Sequence, residues 1–169
     1  MIPDFLLVHR TWMPLVVLVG VAVCVVVGHV VRSRRARWLL VLLSALPALA
    51  LTVVPIPNPA ARVGCVVQFF VPTLRSIELL ANVALFFPPV YFAALATRRP
   101  LLTLAVATGA SAAIEAFQAL APVIGRACDT NDWAMNTVGA VVAVLLASVL
   151  RRSPSRDEDG EGQAVESRG

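Results

Sequence analysis

EAFQALAPVIGRACDTNDWAMNTVG, residues 115–139, carries the reading of the fold. It holds three of the five carboxylates that precede residue 157, together with Gln118, Arg126 and Asn136. Read outward, it joins two apolar segments, Leu101–Val123 and Trp133–Leu150, with Arg126 and Asp129 in the connection between them. Such a polar knot inside so apolar a chain calls for an account of the chain around it.

The 169-residue chain is 59% hydrophobic and only 14% charged, with a mean hydropathy of +0.82. Soluble domains are closer to about 45–50% apolar and about 25% charged, so one this size could not hide that much apolar surface. The composition predicts a polytopic membrane protein. Five segments approach or reach the length needed to cross ~30 Å of hydrocarbon. Besides the two flanking the quoted stretch, they are Pro14–Val31, Trp38–Val54 (containing Pro47) and Leu79–Ala96 (containing Pro88 and Pro89). A lone strand in lipid would leave its amides unpaired, so each is expected to be a helix. The first lacks a small-residue cleavage pattern at its end and reads as a retained helix. The expected fold is all-α, a five-span bundle over residues 1–152, followed by a disordered acidic tail over 153–169.

All 14 basic residues are Arg. A pI near 9.8 would suggest nucleic acid in a soluble protein. Here the arginines gather just outside apolar segments, in RSRRAR (32–37), TRRP (97–100) and RRSPSR (151–156), which is a topology signal and implies no nucleic acid. Nine fall on that side against Arg10, Arg62, Arg75 and Arg126 on the other. The positive-inside rule then places the chain in the cell membrane with its amino terminus outside and its carboxyl terminus cytoplasmic. Residues 63–74 (VGCVVQFFVPTL) are too short and interrupted to span. They are expected at the interface or as a short re-entrant segment on the outer side. Cys65 and Cys128 both fall outside, where a disulfide between them is permitted and two free thiols are the alternative. Cys24, mid-helix, reads as a small apolar residue.

On this topology the polar residues share one depth. Glu78 and Asn82 lie four apart on the third helix, and Glu115 and Gln118 three apart near the outer end of the fourth. Asp129, Asp132, Asn136 and Gly139 step by three, four and three into the fifth. A carboxylate at a helix centre costs roughly 2.5–3.5 kcal/mol on insertion scales. Acids and amides from three helices at one depth are therefore expected to face one another around a hydrated pocket open to the outside. Interhelical polar contacts that merely hold helices together are the plainer alternative, and Asp129 and Asp132 also suit helix-start caps. No Cys or His spacing matches a metal site, and no cofactor is implied. Small residues at Gly139, Ala143 and Ala147, and at Ala105, Gly109, Ala113 and Ala116, are expected to let helices approach closely. Pro88 and Pro89 are expected to free carbonyls near Ala84 and Leu85.

The pattern E-x-x-Q followed by R-x-x-D-x-x-D-x-x-x-N-x-x-G (Glu115, Gln118, Arg126, Asp129, Asp132, Asn136, Gly139) resembles the VanZ-like membrane family. So does the upstream N-x-x-x-F-x-P of Asn82, Phe86 and Pro88. The resemblance covers about residues 78–150. Glu78 is a looser match, and two glycines of the pattern are Val90 and Ala143 here. It implies a small helical membrane protein of the bacterial cell envelope, in a family whose founding member is linked to teicoplanin-type glycopeptide resistance. It names no reaction.

Three functions fit these residues. The favoured one is binding, with or without modification, of a membrane lipid or lipid-linked envelope component by Asn82, Glu115, Gln118, Arg126, Asp129, Asp132 and Asn136, with Glu78 peripheral. Glu115 would be the acid or base of any reaction, or with Asp132 a cation ligand, and Arg126 would meet an anionic group. A proton- or ion-linked carrier or flippase is the second, and so small a bundle would have to self-associate to form one. A structural subunit glued by the polar cluster is the third.

Overall fold

The computed structural model describes residues 12–56, 63–71 and 76–152. The tail 153–169, residues 72–74 of the outer segment, and Arg10, Arg62 and Arg75 lie outside the described residues. Five helices follow in order: α1 Met13–Val30, α2 Arg34–Val53, α3 Ile77–Thr97, α4 Pro100–Leu120 and α5 Thr130–Arg152. The all-α bundle is the expected one. Four of the helices, over 34–52, 77–97, 100–120 and 130–151, are long and apolar enough to cross a membrane, while the apolar part of α1, Pro14–Val30, is shorter.

Proline and glycine set several of the boundaries. α4 stops at Leu120, three residues short of the expected end, because the residue before Pro122 is pushed out of the helical region. A short 3₁₀ turn, Pro122–Ile124, follows and closes on Gly125 at φ 70°, a conformation open to glycine without a Cβ penalty. α2 begins inside the arginine run, at Arg34. The Arg37 guanidinium donates to the Val31 carbonyl (2.8 Å) and the Leu95 carbonyl (3.2 Å), tying the α1–α2 turn to α3. α3 runs unbroken through Pro88 and Pro89. Neither proline can donate, so the carbonyls of Ala84 and Leu85 lose their helical partners without ending the helix.

α3 is the central element and packs against all four other helices. Its Phe86, Phe87, Val90, Tyr91 and Leu95 form the core with Ala140, Ala143, Val144 and Ala147 of α5 and Ala107 of α4. Phe87 stacks on Tyr91 with ring centroids 5.6 Å apart. The closest approach is between α3 and α5. A Cβ built on Gly139 would stand 2.3 Å from the Val83 carbonyl oxygen, so only glycine fits there without displacing backbone. The stripe continues through Ala143 and Ala147, which are fully or almost fully buried. The α4 stripe behaves otherwise. Ala105, Gly109, Ala113 and Ala116 are all exposed, and nothing lies within 4 Å of a Cβ on Gly109. The expectation that these residues mark a helix contact is corrected: the face of α4 that packs carries Ala107, Ser111, Glu115 and Gln118, and the alanine stripe points away from it.

Residues 63–71 do not enter the bundle. Cys65–Val66 (β1) pairs in parallel with Cys128–Asp129 (β2), with Cys65 opposite Cys128, and the two cysteines form a disulfide with Cα atoms 4.5 Å apart. The extended chain then runs along the start of α5. The Gln68 amide donates to Thr130 Oγ1 (3.0 Å) and the Phe70 amide to Asn131 Oδ1 (2.8 Å). Val67, Phe69, Phe70 and Val71 are left exposed. The disulfide sits at one end of the bundle. Arg32, Arg34, Arg98 and Arg151 sit at the other, around the α1–α2 and α3–α4 turns and the end of α5.

Two measurements check this packing. In detergent, Gly139→Ala should lower unfolding stability by about 1–3 kcal/mol through overpacking against Val83. Gly109→Ala should leave it unchanged or raise it by up to about 1 kcal/mol through helix propensity. Equal effects at the two glycines would contradict the α3–α5 approach. Denatured protein should accept one thiol-reactive label, on Cys24, before reduction and three after it. Three labels without reductant would remove the bridge.

Candidate functional site

At the disulfide end the last turns of α4, the first turns of α3 and α5, and the end of α2 enclose a cavity of about 170 Å³. Its polar wall is Thr52, Asn82, Glu115, Gln118, Arg126, Asp132 and Asn136, and Leu51, Ala81 and Leu85 complete it. The helical spacings explain how the chain brings these together. Ser111, Glu115 and Gln118 step by four and three along the buried face of α4, and Asp132 and Asn136 by four along α5. Asn82 precedes Val83, the residue pressed against Gly139, and the approach at that glycine sets Asn82 opposite Asp132.

Each polar group has a specific anchor. Asn82 Nδ2 donates to Asp132 Oδ1 at 2.5 Å. Glu115, only 7% exposed, accepts on Oε2 from the Asp129 amide at 2.9 Å. That amide lies just before the amino terminus of α5, where partial positive charge favours an anion. Gln118 Nε2 donates to the Thr52 carbonyl (2.9 Å) and Arg126 Nε to the Val54 carbonyl (3.0 Å). Both carbonyls belong to the end of α2, which has no intrahelical donors left for them. Asn136 Nδ2 donates to Ser111 Oγ (2.9 Å), while Asn136 Oδ1 is buried without a partner. Among the described residues, Glu115 and Asp132 accept from amide groups and from no cation. Arg126 lies on the same wall, outside the spanning segments. Partial burial lowers its pKa from the ordinary value, but guanidinium pKa values lie so high that it keeps its charge at neutral pH.

The structure thus brings Asn82, Glu115, Gln118, Arg126, Asp132 and Asn136 to one cavity. Two residues of the sequence reading stand elsewhere. Glu78, in the first turn of α3, is exposed and is not part of the wall. The Asp129 carboxylate is held by Gln68 Nε2 and by the Asn131 amide (2.8 Å) and also stays out of the wall. Asp129 reaches the site through its backbone amide, and its side chain acts as the turn former that precedes α5.

Four participants escaped the sequence reading, the first being Thr52 at the end of α2, whose carbonyl accepts from Gln118. Ser111 lies four residues before Glu115, so helical spacing alone could have found it. Gln68 is a single polar residue in an apolar run, and its position depends on the strand pairing. Asn131, only 3% exposed, is turned off the Asp132–Asn136 stripe toward the outer segment, a contact no local pattern signals. Among the described residues no group of three or more His, Cys, Asp or Glu side chains is placed to hold a metal ion.

No curated protein and no solved structure matches this chain. A family model described as VanZ/LLP1 does, over residues 15–151, which extends the likeness seen from residue 78 onward back to α1. A match running from the first turn of α1 to the last turn of α5, and taking in every residue of the cavity wall, means that the chain belongs to the VanZ/LLP1 family.

Proposed function

We propose that the protein is a five-span cell-membrane protein whose cavity binds the polar part of a lipid or lipid-linked envelope component from the outer leaflet. The disulfide supports this orientation, since such bonds persist on the oxidising side of a membrane, and the arginines at the opposite end support it through the positive-inside rule. The observation that carries the binding reading is the pair Glu115 and Asp132. Two carboxylates from different helices face one small cavity, and among the described residues no cation is paired with either. Helix glue would be completed by a partner. This pair leaves acceptor capacity toward the cavity, and on the same wall Asn136 Oδ1 is buried without a partner, which is unfavourable until a ligand or water meets it.

The volume sets the scale of what enters. At about 170 Å³ the cavity is below the ~300–1,000 Å³ typical of drug-sized ligands, so it suits a head group and not a whole glycopeptide. Carrier function is the less favoured reading. Below Asn136 and Ser111 the bundle is closed by Phe86, Phe87, Tyr91, Ala140 and Ala143. Among the described residues the next buried polar side chain is Thr103, already bonded to Thr97. Any chemistry would centre on Glu115 as acid or base. Altered susceptibility to teicoplanin-type glycopeptides, the phenotype linked to the founding family member, is the expected cellular readout.

Glu115→Gln and Asp132→Asn keep the shape and remove the charge. Each should weaken retention of the copurifying envelope component by roughly tenfold or more, since a charge-assisted hydrogen bond contributes about 1.5–3 kcal/mol. Mass spectrometry of extracts from wild-type and variant protein at equal membrane levels measures this. Identical extracts from all three would sink the binding reading and leave the polar cluster as helix glue.

A further inference from the structure

A second feature lies directly beneath the cavity. α2 and α4 both rest on α3 and hardly touch each other, which leaves a groove of about 420 Å³ between them. Its floor is Phe86, Pro89, Val90 and Ala93 of α3, and its two sides are apolar residues of α2 and α4. The threonines at its far end, Thr97 and Thr103, are hydrogen-bonded to each other and offer the groove little polarity.

Groove and cavity meet end to end on all three helices. Leu49 of the groove stands two residues from Leu51 of the cavity, Phe86 is next to Leu85, and Ile114 is next to Glu115. From Glu115 to Thr103 is twelve residues of α4, or about 18 Å at 1.5 Å per residue. That is close to one leaflet, half of the ~30 Å hydrocarbon thickness. A slot of one-leaflet length, apolar throughout and closed at its outer end by a polar cavity, has the shape of a single lipid with its chain along the helices and its head at Glu115.

The cavity also states which head it accepts. Each of its three amides already spends one N–H on the protein: Asn82 Nδ2 on Asp132, Gln118 Nε2 on Thr52 and Asn136 Nδ2 on Ser111. Beside the second N–H of each amide, what remains among the described residues is the unpartnered Asn136 Oδ1 and the second carboxylate oxygen of Glu115 and of Asp132 as acceptors, with the Arg126 guanidinium as the cation on the wall. Acceptors and negative charge call for a cationic N–H donor, and the guanidinium calls for an anion beside it.

We infer that the ligand is a membrane lipid with a primary ammonium and a phosphodiester in its head group, one chain lying in the α2–α4 groove, the ammonium between Glu115 and Asp132 and the phosphate toward Arg126. This rests on the binding reading above and adds to it the chain and the donor.

The test uses full-length protein reconstituted in bilayers of phosphatidylethanolamine, phosphatidylcholine and phosphatidylglycerol with the same chains, then extracted in mild detergent and assayed for retained lipid by native mass spectrometry. Phosphatidylethanolamine should be retained at least about tenfold over phosphatidylcholine, whose quaternary ammonium lacks N–H donors. Equal retention of phosphatidylcholine or phosphatidylglycerol would overturn the assignment. Ala110→Trp and, separately, Ala93→Phe fill the groove from its side and floor without touching the cavity wall. With the disulfide intact as the folding check, both should reduce retention to the level of bulk lipid. If Glu115→Gln abolishes ligand retention while neither groove variant changes it, the ligand is a head group alone, and this inference falls while the binding reading stands. If none of the three variants changes it, both fall.

Discussion

The contact on which the site depends is the backbone approach of α3 and α5 at Gly139. With no Cβ at that position, the Val83 carbonyl comes within reach of the α5 backbone, and any larger residue would have to push it away. Asn82 is the neighbour of Val83, and Asn136 and Asp132 lie one and two turns before Gly139. The distance that glycine permits is therefore the distance at which Asn82 meets Asp132. Ala143 and Ala147 carry the same closeness along α5 and let Phe87 and Tyr91 of α3 fill the core. In a bilayer, where lipid tails are as apolar as leucine, this dense small-residue packing is what holds helices together.

A polar cavity in such a bundle must offset the cost of its charges, and the arrangement shows how. Glu115 sits within two turns of the end of α4, not at mid-helix, and takes its hydrogen bond from an amide at the amino terminus of α5. Gln118 and Arg126 answer the terminal carbonyls of α2, which would otherwise be orphans. The outer segment adds a lid of hydrogen bonds. Gln68 and Phe70 engage Asp129, Thr130 and Asn131, and the Cys65–Cys128 bridge fastens the strand pair. By closing a 63-residue separation, such a bridge limits the unfolded chain and typically contributes about 2–4 kcal/mol. The residues that build the cavity are thus the same ones that terminate the helices around it.

What could be read from the chain follows from the range of the interactions concerned. The five helices were legible because apolar length and proline positions are local properties, and most of their ends shifted by three residues or fewer. The convergence of Asn82, Glu115, Asp132 and Asn136 was legible because helical spacing fixes faces and a shared depth fixes neighbours. Two judgements failed where a local pattern had two solutions. A small-residue stripe marks either a tight contact or simply small residues, and α5 took the first while α4 took the second. An acid before a helix is either a ligand group or a cap, and Asp129 is the cap. Asn131, Gln68 and the groove between α2 and α4 come from contacts between distant segments, to which periodicity along one helix is blind.

The two ends of the bundle are chemically opposite, and this asymmetry bears on direction. At the arginine end, Arg37 is occupied by three carbonyls at the ends of two helices, α1 and α3, so it serves as a rivet. Arg32, Arg34, Arg98 and Arg151 remain around it, suited to an anionic membrane surface. At the disulfide end the Glu115 and Asp132 carboxylates line the cavity with Arg126, and Asn136 Oδ1 is buried without a partner. A head group drawn to one end by its ammonium would be repelled by the other, while a purely anionic head would be held at the arginine end and find only Arg126 at the cavity. On the proposed reading, the charge pattern that would orient the chain by the positive-inside rule would also filter which lipid turns its head into the cavity, and the hydrophobic core cluster between the two ends holds no charged side chain.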